Sequence, residues 1–305
     1  MPGGGDAGET ERILALDPAR SGAACRCPAV DRACSRAASQ RSAIIISLRL
    51  RKKRVASPPA PAHPQLRTGL NTDGEETEMH VTSEPNILYF GTPVVLIGTV
   101  NEDGSHNLAP MSSAFWLGWR CVLGLAAASK TTQNMIRTGE CVLNLPSADM
   151  VSAVNRLART TGSNPVPQGK LLRGYRYEPD KFGVSGLTPV VSETVGAARV
   201  LECPVQLEAM VESTRELAQD DEALRGRAVI LEVRVQRVHL DRSILMPADH
   251  NRIDSDKWRP LIMSFQNFYG LSPQCLREST LAQIPESMYR SPDMDRARRT
   301  SADAS

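Results

Sequence analysis

"PVVLIGTVNEDGSHNLAPMSSAF", residues 93–115, is the stretch on which the fold turns. Its first eight residues form an apolar, β-branched run. Asn101-Glu102-Asp103-Gly104 is a turn signal, and the chain then returns with strand character, so a hairpin is expected. The returning limb departs from a plain strand. Pro110 has no backbone N–H, so this limb must be an edge strand or a bulge, which leaves neighbouring amides for another partner. Ala109, Ser112 and Ser113 are small enough to let a flat heterocycle approach the backbone, while Met111 and Phe115 supply apolar surface. An edge strand with solvated serines would carry the same residues.

Working outward, "CVLGLAAA" (121–128) reads as a third strand and "ECVLNLP" (140–146) as a fourth. Between them, "SKTTQNMIRTG" (129–139) has helical pattern, with Ser129 or Thr131 as N-cap, Met135 and Ile136 on the buried face and Gly139 as the stop. "SADMVSAVNRLART" (147–160) spaces Met150, Val151, Val154 and Leu157 as a short amphipathic helix capped by Ser147. Residues 162–169 form a Gly/Pro-rich loop, and "LLRGYRYEPDKFGVSGLTPV" (171–190) holds too many breakers for one regular element. Two stretches alternate with period two: Leu201, Cys203, Val205 and Leu207, then Val229, Leu231, Val233 and Val235. Many strands, few helices and no βαβ alternation give a mainly β chain, an antiparallel barrel closed or nearly closed with a few outer helices.

All the Trp, Tyr and Phe residues lie at or after Tyr89. Residues 1–78 therefore have no large aromatic around which to close a core and are expected to be a disordered or dispensable N-terminal tail. The folded domain is expected over 79–278, with 279–305 as a C-terminal tail. Met79 is an alternative start, leaving 227 residues. Within the leading segment, "SPPAPAHP" (57–64) reads as an extended linker and "RLRKKR" (49–54) as a solvated basic run. "GGGDAG" (3–8) matches a dinucleotide fingerprint in letters only, because no strand precedes it, and Cys25, Cys27 and Cys34 lack the second pair that a zinc finger needs.

No secretory signal or membrane span is read, since "AIIISL" (43–48) is short and late. The Arg- and Ser-rich part from Ala19 to Ser57 imitates an organellar transit peptide, but Asp6, Glu9, Glu11 and Asp17 precede it. A cytoplasmic location follows, with no membrane partner. After residue 78, 24 Lys and Arg stand against 25 Asp and Glu, so the folded part is near neutral and is not expected to bind nucleic acid. Cys121, Cys141, Cys203 and Cys275 mostly sit in apolar runs, as reduced core thiols do.

The start of the 129–139 helix presents free backbone N–H groups beside Ser129, Lys130, Thr131 and Thr132, which suits a phosphate. An ordinary capped helix with a solvent-facing lysine reads the same way. His250 with Asp249, Asp254 and Asp256 matches no common metal spacing and reads as a solvated loop, so no metal is expected. Ser112 and Ser113 lack a nucleophile elbow.

Taken in order, "PVVLIGTVNEDGSHNLAPMSSAF", "SKTTQNMIRTGECVLNLPS" and "KFGVSGLTPV" resemble the flavin reductase-like proteins with an FMN-binding split barrel. The likeness spans Pro93 to Ser243, and "DSDKWRPLIMSFQNFYGL" (254–271) resembles the C-terminal part of one branch. "HNRIDSDKW" departs from the generic pattern. The resemblance implies FMN lying against 109–113, with ring contacts from Asn107, Ala109, Pro110, Met111, Ser112 and Ser113. It puts the phosphate at Ser129, Lys130 and Thr131, and has Asn134 reaching the ribityl chain or phosphate. It further implies a homodimer, NADH or NADPH as hydride source, and transfer to free flavin, to a monooxygenase or to another flavin-accepting partner. The alternative is an FMN-binding electron carrier without nucleotide turnover. No catalytic residue is singled out, since the cofactor carries the chemistry.

Overall fold

A computed structural model describes His80–Asp303 and, upstream, one antiparallel pair formed by Gly69–Leu70 and Glu76–Thr77. Apart from that pair, the readings made for residues 1–78 lie outside the described residues. The chain divides into two units, Met1–Met79 and His80–Ser305.

The second unit is built on a seven-stranded sheet. Its strands are β1 (Val95–Val100), β2 (His106–Met111), β3 (Ala114–Leu117), β4 (Arg120–Ala126), β5 (Glu140–Leu145), β6 (Val205–Glu216) and β7 (Ala228–Leu240). The order is β2-β1-β5-β6-β7-β4-β3, antiparallel throughout. The two edge strands, β2 and β3, are joined in the chain by Ser112 and Ser113 alone. The sheet is therefore curled until its edges are two residues apart, yet no ladder closes them: it is a split antiparallel barrel.

Two apolar layers fix this curl. Val95 and Ile97 of β1 join Leu123, Leu143, Leu207, Leu231 and Val233 inside the barrel. Val94 and Leu96 face outward, under Val154 and Leu157 of helix α2 (Val151–Leu157) and Phe182 of helix α3 (Lys181–Ser185). Both faces of β1 are thus covered, which is why "VVLI" does not alternate. Each buried Leu or Val contributes about 1.5–3 kcal/mol. Helix α1 (Lys130–Thr138) plugs one end of the barrel with Met135, capped by Ser129 and ended by Gly139. Ile136, expected on the buried face, is 54% exposed, because the next residue along a helix is turned away by 100°. Leu201, expected to share the β6 stripe, is also exposed, since that strand begins at Val205.

On β6, at a bulge, Glu208 is completely buried. It accepts hydrogen bonds from the Glu193 N–H (2.9 Å), the Thr194 N–H and hydroxyl (2.6 Å each) and His239 Nε2 (2.8 Å), with Arg199 Nε 3.5 Å away. Burial alone would raise its pKa, but these donors bring the carboxyl down to about 2.

Residues 279–305, set apart as a tail in the sequence, contain helix α4 (Pro292–Asp303), which packs on β7. Asp293 on its first turn is buried and anchored by Arg120 of β4, Nε to Oδ2 3.0 Å, and Arg120 also pairs with Glu232.

Candidate functional site

A cavity of about 180 Å³ opens where β2, the barrel's free edge, meets the N-terminus of α1. Asn107, Ala109, Pro110 and Met111 form one wall, with Ala126, Ser129, Lys130 and Thr131 at one end. The opposite wall comes from Leu157, Ala158 and Thr160–Gly162, then Lys170, Arg173, Tyr175 and Lys181. The strand and the helix start singled out in the sequence therefore converge on one cavity. Pro110 lies on the edge strand, opposite Leu96, where its missing N–H leaves no ladder bond unmade. A smaller apolar cavity of about 130 Å³ shares Pro110, Met111 and Ala158 and adds Ser112, Val94, Val154, Met263 and Phe268.

Of the residues singled out in the sequence, Ser113 and Asn134 lie outside both cavities, and several of those lining the first are also held by hydrogen bonds. Ser113 accepts the Gly124 N–H through its carbonyl, 2.9 Å, and lines neither cavity. Asn107 is buried and donates to Thr99 and Thr131 Oγ1, 3.2 Å each, tying α1 to the barrel. Asn134 is fully buried, and its Nδ2 donates to Thr99 Oγ1 (3.1 Å) and Asn101 Oδ1 (2.9 Å). Its side chain does not line the cavity; it fixes the helix. Ser129 accepts the Thr132 N–H, 3.1 Å, as the N-cap. Lys130 lines the cavity, but its Nζ pairs with Glu102, whose carboxyl this hydrogen bond lowers.

The cations not singled out in the sequence are Lys170, Arg173 and Lys181. Lys181 is only 2% exposed and opens α3, where Asp180 caps the helix by accepting the Gly183 N–H. Its Nζ donates to Thr160 Oγ1 at 2.7 Å. Thr160 in turn donates its proton to the Leu157 carbonyl, 2.8 Å, which aims a lone pair at the lysine. Next along, Thr161 Oγ1 accepts from Lys170 Nζ at 3.1 Å. Tyr175 lies under both Lys170 and Arg173, with its ring centroid 5.7 and 6.0 Å away.

Two adjacent threonines thus hold one lysine each. Thr160–Thr161 is held in place by parallel pairing with Arg176–Tyr177. Gly162 permits the tight fit beyond, since a Cβ there would lie 2.7 Å from Asn107 Oδ1. The sequence signal was the capped "DKFGVSG", with Asp180 as N-cap and Gly186 past the end, which puts Lys181 on a first helical turn.

The electrostatics are one-sided. Among the described residues no carboxylate lines this cavity, and neither Lys170 nor Lys181 has an ion-pair partner. Burial, with the charge of Lys170 added, pushes Lys181 down to about 8; burial and Arg173 likewise lower Lys170. A buried ammonium held by one hydroxyl is costly unless an anion joins it. The donors fit a phosphate: two lysines, an arginine and the free N–H groups that start α1.

Fold and site together define a split-barrel protein with a cation-lined cavity beside an exposed strand edge. Residues 87–272 match the model of the flavin reductase like domain. A Bacillus subtilis (strain 168) protein, YdfE, itself uncharacterized, is 36% identical over 197 residues, covering 65% of this chain and 92% of that protein. Among solved structures, flavoredoxin of Desulfovibrio vulgaris (Miyazaki F) is similar with TM-score 0.54 at 22% identity, over 68% of this chain and all of that one. Nitrilotriacetate monooxygenase component B from Bacillus cereus has TM-score 0.52 at 20% identity, over 65% of this chain and 99% of that one. The chain belongs to the flavin reductase-like family, and with it to the flavoprotein oxidoreductases.

Proposed function

We propose that the protein is an FMN-dependent oxidoreductase that takes hydride from NADH or NADPH and passes electrons to free flavin or another acceptor. The observation that carries this reading is a pair of lysines, Lys181 buried and Lys170 half-buried, that face a carboxylate-free cavity at a helix N-terminus. On this reading Lys170, Lys181 and the α1 amides hold the phosphate, and Ser129 and Thr131 shape that pole. Ala109, Pro110, Met111 and Ser112 offer a low, mostly apolar wall to the ring system. A bound flavin would supply the two-electron chemistry that no side chain can.

Large apolar side chains cluster exposed around the open edge of the barrel: Phe115 and Leu117 on β3, and Phe90, which stacks edge-to-face on Phe265 at 5.0 Å. A cluster of this kind favours burial against a partner, which supports a homodimer that covers the split. Buried free thiols at Cys121, Cys141 and Cys203 suit a reducing, cytoplasmic setting. Among the described residues no helix is long and apolar enough to cross a membrane.

Anaerobic mixing of FMN-loaded protein with NADH or NADPH tests the reaction. The flavin absorbance should bleach with at least one of them and recover when an acceptor is added. Inertness to both, with FMN still bound, would leave an electron carrier without nucleotide turnover. The ring position has its own test. Ala109→Trp should weaken both FMN and riboflavin by about tenfold or more per folded molecule, roughly 1.4 kcal/mol, because the added ring fills the cavity that Ala109 lines. Unaltered affinity would place the ring elsewhere.

A further inference from the structure

A second cavity, of about 340 Å³, adjoins the first and shares Ala158 and Thr160 with it. Arg156, Arg159 and Arg176 line it, together with Asn155 and Gly174, and no carboxylate is among its lining residues. All three arginines are exposed, and Arg156 is the one anchored by hydrogen bonds of both Nε and Nη2. Arg156 spends Nε and Nη2 on the Ser185 carbonyl, which leaves Nη1 free. Arg159 is exposed and has no hydrogen-bond or ion-pair partner for its side chain among the described residues, and Gly174 packs beside its guanidinium. Gly174 is at φ 74°, and a Cβ there would stand 3.3 Å from Arg159 Nη1. Arg176 pairs with the Glu178 carboxylate, Nη1 to Oε2 3.3 Å, which leaves its other guanidinium nitrogens free.

Three guanidiniums beside the lysine-lined cavity, with Glu178 the one carboxylate paired to them among the described residues, leave a net positive patch, and the two clusters feel each other, since Arg176 helps lower Lys181. Forked guanidinium donors match phosphate oxygens in pairs. The single phosphate of FMN is met by Lys170, Lys181 and the α1 amides, so a second cationic cavity exceeds what FMN requires.

We propose that the Arg156–Arg159–Arg176 cavity is a second phosphate subsite, which takes a phosphate on the adenylate half of a dinucleotide whose other half lies in or beside the first cavity. The proposal rests on the flavin reading above. The phosphate has two chemical sources: the adenosine phosphate of FAD bound in place of FMN, or the ribose 2′-phosphate of NADPH.

The test is the Arg159→Ala/Arg176→Ala double variant of the full chain. Both side chains are exposed, so a thermal melt should match the wild type. FMN and FAD are titrated by flavin fluorescence, and bleaching of the FMN-loaded protein is measured with NADH and NADPH. FMN affinity and the NADH rate should be retained, while either FAD affinity or the NADPH KM worsens by about tenfold. A loss confined to FAD assigns the subsite to the flavin, and one confined to NADPH assigns it to the hydride donor. Unchanged ratios of FAD to FMN and of NADPH to NADH would overturn the proposal while leaving the flavin reading intact. Failure of the wild type to bind either flavin would overturn both.

Discussion

Lys181→Met is expected to weaken FMN by about tenfold or more, in line with the roughly 1.5–3 kcal/mol of one charged hydrogen bond, and to leave riboflavin nearly unchanged. The two ligands differ only in the phosphate that this ammonium would meet. Methionine fills similar space, and Thr160 keeps its bond to the Leu157 carbonyl, so stability should hold or rise as an unpaired buried charge is removed. Burial brings the lysine down to about 8 from an ordinary value of 10.5. Below pH 8 it is charged and attracts phosphate; as the pH climbs through 8 that charge goes and FMN affinity should fall. The variant should lack this alkaline limb. For the flavin-free fold the sign is reversed. Between about 8 and 10.5 the unfolded chain binds more protons than the folded one, so stability rises with pH across that window. Parallel losses for FMN and riboflavin, or an unchanged alkaline limb, would remove Lys181 from the phosphate pole.

Glu208→Ala should cost about 3–5 kcal/mol of stability, the largest effect expected from any single change here. It strands the Glu193 and Thr194 N–H groups and leaves His239 and Arg199 without their carboxylate. Since Glu208 lines neither cavity at the barrel edge, FMN affinity per folded molecule should not move. Its pH signature is distinct. A carboxyl depressed from 4.5 to about 2 contributes its stability in full above pH 4.5 and loses it as the pH falls towards 2. Urea melts of the wild type across that window should show the decline, and the variant should show less of it. A change below about 1 kcal/mol would mean that the 193–194 turn does not depend on the carboxylate.

The parts of this fold legible in the sequence are those set by local rules. The Asn101–Gly104 turn fixed the β1–β2 hairpin, Ser129 and Gly139 bounded α1, and period-two alternation marked β6 and β7. Pro110 marked the free edge for a reason that needs no neighbours: a residue without an N–H avoids a central strand. What stayed hidden was set by tertiary pairing. Lys170 and Lys181 sit in a breaker-rich stretch and become wall residues only because Thr160–Thr161 pairs with Arg176–Tyr177. Asn134 was expected to reach the ribityl chain or phosphate, and its bonds to Thr99 and Asn101, over 30 residues earlier, are tertiary contacts that the sequence did not show. Lys130, to which the resemblance gave the phosphate, does line the cavity, while its pairing with Glu102 from the hairpin turn is a tertiary contact that the sequence did not show.

The most direct measurement is titration of FMN and of riboflavin into flavin-free wild-type protein at neutral pH, followed by flavin fluorescence. With one buried and one half-buried lysine on the phosphate, FMN should bind about a hundredfold more tightly than riboflavin. Equal affinities for the two, or binding of neither, would contradict a phosphate pole at Lys170 and Lys181.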